Sequence, residues 1–216
     1  MPLLSILYNY VITTVSKYNI DESHGLSHSM NILTYANKIY NEEIIKQSSI
    51  KHHEKIIYIA AILHDMCDKK YMDQNAGIND INNFIESLKD DDNVSIVTTV
   101  EQKIIIDIIS TISYSYVKIN GFPDHGEYQT AYNIVREADL LCAYDFDRCM
   151  IYQMYTQNYS LDNAYKDATQ LFNVRMFKHM SDGLLFTQYA KNNHERLEQN
   201  ARSQILQWDK LITKKL

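Results

Sequence analysis

Glycine and proline are almost missing from this chain, which has 5 and 2 of them among 216 residues. Tight turns lean on those two residue types, so the composition argues against a sheet with many hairpins. With 45% hydrophobic residues, the chain can bury a substantial core as a single all-α domain, a helical bundle.

The apolar pattern agrees. Pro2 suits the first turn of a helix running to about Lys17. In "DESHGLSHSMNILTYANKIYNEE", Asp21, Ser23 and Ser27 are cap candidates, and Met30, Leu33 and Ile39 follow at helical spacing. "HHEKIIYIAAILHDMC" is apolar on nearly every face, as a central buried helix should be. A helix is expected near "INDINNFIESLKD", ended by Asp90 to Asp92. "VSIVTTVEQKIIIDIISTIS" has strand-like β-branching but the length and i, i+3, i+4 pattern of a helix. "YSYVKINGFPDHGE", with Gly-Phe-Pro, reads as a loop. "YQTAYNIVREADLLCAYDFDRCMIYQMY", "SLDNAYKDATQLFNVRMFKHM" and "FTQYAKNNHERLEQNARSQILQWDKLITK" read as helices. There is no repeat or low-complexity linker. One domain is expected over residues 1–216, with a core over roughly 20–150 and the helices of 160–214 packed on it.

A net charge of -6 gives no sign of general affinity for nucleic acid, although a local basic pocket or a metal can still bind a phosphorylated small molecule. Cys67, Cys142 and Cys149 lack metal-type spacing and read as packing residues in a reduced compartment. "MPLLSILYNYVITTVSKYNI" carries polar residues throughout and no basic start, so it reads as a core helix and not as a leader or anchor. A soluble cytoplasmic protein without a membrane partner is expected. The tyrosines at 152, 155 and 159 read either as core or as the interface of a homo-oligomer.

The central apolar helix ends on His64-Asp65, and an unpaired carboxylate at the end of a buried helix is costly. An imidazole beside a carboxylate suits a divalent transition metal. His28 lies on an earlier amphipathic helix, with His24 before it, and Asp139 sits among Ile134, Val135, Leu140 and Leu141. Taken singly, His28 reads equally as a core histidine and Asp139 as a partner of Arg136. Together, as H…HD…D on successive helices, they read as one ligand set.

With "HGLSHSMNILTYA", "AAILHDMCDKKY" and "IVREADLLCAYD" in that order, the chain resembles the HD-domain metal-dependent phosphohydrolase superfamily over roughly residues 20–150. The resemblance implies an HD-type bundle in which His28, His64, Asp65 and Asp139 ligate one divalent ion, whether Mn, Co, Ni, Fe, Zn or Mg. It implies hydrolysis of a phosphate ester or anhydride of a nucleotide-like molecule by metal-activated water. Asp68 stands where many such enzymes carry a Glu in HDxxE, and it is the candidate base; a solvated helix-terminal Asp is the alternative. Lys69, Lys70, Arg136 and the stripe Arg175, Lys178 and His179 are candidates for holding phosphate; a solvated surface is the default reading of the two lysines and the favoured one for the stripe. His24, Asp145 and Arg148 are expected to support the ligands, and Ser113, Tyr114 and Ser115 to line the pocket. Binuclear relatives place further histidines between the HD pair and the last aspartate; here that interval holds only His125, which favours one ion and disfavours diiron oxygenation. Alarmone pyrophosphohydrolases follow HD with a Glu-Asp couple, where this chain has Asp68-Lys69. That reading and a non-catalytic nucleotide-sensing module are the alternatives.

Overall fold

A computed structural model of the chain describes residues 2–214. Ten α-helices account for the described fold: α1 (Leu3–Tyr18), α2 (Leu26–Lys46), α3 (Glu54–Leu63), α4 (Gln74–Ser87), α5 (Thr99–Thr111), α6 (Tyr114–Asn120), α7 (Gln129–Cys142), α8 (Phe146–Thr156), α9 (Leu161–Val174) and α10 (Gln188–Ile212). The all-α class holds. The β-structure among the described residues is one isolated bridge, Lys89 to Ser95. No described helix is long and apolar enough to cross a membrane.

The helix read as central is α3. Ile56, Ile57, Ile59, Ala60, Ala61, Ile62 and Leu63 are all buried, and α1, α2, α5 and α7 pack around them. Each fully buried Ile or Leu contributes roughly 1.5–3 kcal/mol, so five of them hold the C-terminal end of α3 firmly in place. That exceeds the several kcal/mol it costs to leave a few polar atoms there without partners. α2 turns Ile32, Ala36, Ile39 and Tyr40 to the core, whereas Met30 is exposed. A second apolar cluster, built on Phe146, Met150, Phe172 and Met176, joins α8, α9 and α10, and Phe177 packs against both clusters.

Several local readings are corrected. α2 starts from Gly25 without a side-chain cap; of the three cap candidates, Asp21 instead accepts from the Ser23 N–H at 2.8 Å. The ambiguous stretch becomes helical only from Thr99, behind a Thr98/Glu101 capping box. The expected loop at 114–127 begins with α6, capped by the Ser113 hydroxyl; the chain turns only at Gly121, where φ is 78°. The long pattern from Tyr128 is two helices, broken at Tyr144 and restarted by the Asp145 cap on the Arg148 N–H. The three cysteines are free, and Cys67 and Cys142 are buried.

Candidate metal centre

Three packed helices bring the ligand set together. The Ser29 hydroxyl donates to the Ile62 carbonyl at 2.9 Å, pinning the start of α2 to the last turn of α3. That contact sets the rings of His28 and His64 edge to face, 5.3 Å between centroids. α7 packs on both α2 and α3 and presents Asp139 from its last turn.

His64 is 8% exposed, and its Nδ1 lies 2.9 Å from the Ala61 carbonyl, which requires the ring proton on Nδ1. Its Nε2 then faces Asp65 Oδ2 at 3.2 Å, and His28 Nε2 stands 3.2 Å from the same oxygen. Asp139 Oδ1 is 3.8 Å from His28 Nε2. Donor atoms of His28, His64 and Asp65 all lie within 4.8 Å of one another. Yet His64 Nε2 and Asp65 Oδ2 are buried without a hydrogen-bond partner: they are close but not aimed at each other. Two ligands at about 2.1 Å from one ion lie roughly 3.0–3.4 Å apart, so the spacings of Asp65 to His28 and His64 fit a shared divalent cation, whereas Asp139 lies outside that group and would have to move in to join it. These residues fit a metal.

The electrostatics agree. Burial pulls the His64 pKa down, but the charges of Asp65 and Asp139 more than reverse this and push it up to about 9. For His28, burial and then the Arg148 cation pull the pKa down to about 4. Burial works against an ionised Asp65, but the neighbouring His64 and the contact to His28 hold its carboxyl well below the usual range.

A cavity of about 590 Å³ opens beside these donors. His24, Asp68, Lys69, Lys70, Asp145, Arg148 and Arg175 line it, as do Ser113, Tyr114 and Ser115. Asp68 is held by Lys70, through its backbone N–H at 2.9 Å and its ammonium at 3.0 Å. The Lys70 ammonium also donates to His24 Nε2 at 3.0 Å, so His24 keeps its proton on Nδ1, beside the Ser23 and Tyr71 hydroxyls. Arg148 Nη1 donates to the Ser23 carbonyl at 3.0 Å and lies 2.9 and 3.0 Å from the two ring nitrogens of His28. One N–H cannot serve both, and because Nε2 faces Asp65 we assign the Arg148 bond to Nδ1.

Other expected contributors lie elsewhere. Arg136 is 2% exposed; it donates to the Leu184 carbonyl and packs against the edge-to-face pair Phe122 and Phe186, 4.9 and 5.3 Å from their rings, away from the cavity wall. Its acidic neighbour is Glu137, not Asp139. The stripe Arg175, Lys178 and His179 does not share a helix face, because α9 ends at Val174 and a 3-10 turn follows. Lys178 is exposed and off the wall, and His179 is fully buried. His125 sits by Thr111 and Tyr132, apart from the ligand group. Two residues that the sequence did not single out for this site belong to it: Asp21, whose Oδ2 accepts from Tyr71 at 2.5 Å and Thr156 at 2.8 Å, and Tyr152, which forms part of the wall. An Asx pattern at Asp21 was visible, whereas nothing marks Tyr152 among 17 tyrosines. Tyr155 and Tyr159 are exposed and not core.

No family model, curated protein or solved structure matches the chain.

Proposed function

We propose that the chain is a metal-dependent phosphohydrolase acting on a nucleotide-like phosphate compound. The observation that carries this reading is the convergence of His28, His64 and Asp65, whose donor atoms lie within 4.8 Å of one another while His64 Nε2 and Asp65 Oδ2 are buried without a hydrogen-bond partner. His28, His64, Asp65 and Asp139 would hold the ion. When bound, a divalent ion lowers the pKa of its water and polarises a phosphoryl oxygen. The residues around it do the rest. Asp68 stands on the cavity wall without reaching the ligand group, and its carboxylate, steadied by Lys70, can accept the proton of an attacking water. His24 keeps Lys70 oriented toward that carboxylate. Arg148 lines the cavity beside His28 and supplies positive charge there for a phosphate.

The test is metal analysis of purified protein, followed by phosphate release from nucleoside mono-, di- and triphosphates with Mn²⁺, Co²⁺, Ni²⁺ or Mg²⁺. His64→Ala and Asp65→Ala should each lose metal and turnover while keeping their helical content. A wild-type protein that binds no divalent ion, or either variant with full activity, overturns the reading.

A further inference from the structure

We propose that the cavity beside the ligand cluster is built for a phosphomonoester dianion, with Arg175 and Arg148 as the residues that grip its phosphate. The inference rests on the metal centre proposed above and names the class of its substrate.

Arg175 is the less expected of the two. At the end of α9 its backbone leaves helical geometry, with φ -133° and ψ -65°, and its side chain lines the cavity. The guanidinium stacks on the Tyr114 ring at 4.0 Å. Its Nε is buried without a hydrogen-bond partner, and no carboxylate among the described residues pairs with it. A packed guanidinium with neither acid nor carbonyl to bond is an unfavourable arrangement that a bound anion relieves. Arg148 likewise has no acidic partner; it bonds only the Ser23 carbonyl and His28. If His28 ligates through Nε2, its Nδ1 carries the ring proton and stops accepting from Arg148, which frees that N–H for a ligand. By contrast, Lys70 is already engaged by Asp68 and His24, and Lys69 is exposed.

The charge of the wall selects among phosphates. Asp65, Asp68, Asp139 and Asp145 face Lys69, Lys70, Arg148 and Arg175, so with His64 neutral, as a ligand must be, these wall charges balance. A divalent ion leaves a surplus of two positive charges. A monoester, which carries close to two negative charges at neutral pH, cancels that surplus. A diester leaves part of it unmatched, and a triphosphate brings more negative charge than the wall can answer. Guanidinium forks also match the three free oxygens of a monoester better than the two of a diester.

The experiment is a calorimetric titration of metal-loaded protein with inorganic phosphate, methyl phosphate, dimethyl phosphate and tripolyphosphate, with metal content measured in parallel. Methyl phosphate should bind at least about tenfold more tightly than dimethyl phosphate, and tripolyphosphate should gain nothing over it. Arg175→Gln should weaken inorganic phosphate by about tenfold or more at unchanged metal content, and Arg175→Lys, which keeps the charge without the fork, should recover part of the loss. Phosphate affinity indifferent to both substitutions, or a diester bound equally well, overturns the proposal and leaves the metal-hydrolase reading standing. Arg175-dependent phosphate binding by a protein that hydrolyses no ester supports the subsite and refutes the hydrolase.

Discussion

Loading the centre with a divalent ion should expel one proton, and the number follows from the two histidines. With its pKa pushed up to about 9 by the Asp65 and Asp139 charges, His64 is protonated at pH 7. His28, pulled down to about 4, is neutral at that pH, and Asp65 is ionised. A metal takes only neutral imidazole, so His64 must give up its proton while His28 merely relocates one. Calorimetry in two buffers of different ionisation enthalpy reads the released protons directly, and about one per ion is expected at pH 7. The sign fixes the pH dependence. A raised folded pKa means that the protonated pair stabilises the metal-free protein fully below the unfolded value near 6.5, and that this contribution fades as pH rises through about 9. Above that range, release should vanish and metal affinity should level off. Asp65→Asn removes the largest of the influences that raise the His64 pKa, so release should fall toward zero together with affinity. At a hundredfold excess over its dissociation constant, the ion adds about 2.7 kcal/mol of stability, which for a chain of this size is a Tm rise of about 6 °C. Stoichiometric metal uptake with no proton released, or with two, would refute the assignment of His64 as the charged partner in the metal-free state.

Asp68→Asn should retain metal and lower kcat by about a hundredfold or more, the usual contribution of a general base; unchanged steady-state turnover removes Asp68 from that role. Asp21→Ala strips three hydrogen bonds from a buried carboxylate, from the Ser23 N–H, Tyr71 and Thr156, and should cost about 3 kcal/mol in urea unfolding, with a loss under about 1 kcal/mol counting against the network. Hydrogen bonds outweigh burial and lower the Asp21 pKa, so its contribution is present above the unfolded value near 3.9 and is lost as pH falls through the folded one. Gly77→Ala places a methyl 2.7 Å from Cys67 Cβ and 2.8 Å from Met72 Sδ. It should destabilise by about 1–3 kcal/mol and also slow turnover, because Cys67 lies next to Asp68; an unshifted thermal melt contradicts the packing.

The helical class was legible because it depends on local rules: few Gly and Pro, and apolar residues at a helical period. The position of His64 and Asp65 was legible for a related reason, since an apolar run that ends on two ligand-type side chains has to put them where the buried helix stops. What escaped were features set by tertiary contacts or by small backbone departures. Arg136 lies one turn from Asp139, yet two phenylalanines and the Leu184 carbonyl draw its guanidinium to another face. The stripe at Arg175 assumed an unbroken helix, and one residue with ψ -65° at φ -133° sent Arg175, Lys178 and His179 to three different environments. α6 hid behind the Gly-Phe-Pro that follows it, because its only start signal is a single serine cap.

Asp21 holds a hydroxyl from Tyr71 and another from Thr156, residues 50 and 135 positions further along the chain. That one carboxylate therefore fastens the approach to His28, the strand of chain just past Asp68, and the helix that carries Arg148. Closing so wide a loop is slow relative to forming single helices, so the centre should be among the last parts of the molecule to mature during refolding. It also follows that residues 20–150 expressed by themselves would keep the four candidate ligands but lose both the Thr156 tether and Arg175, and should take up metal weakly.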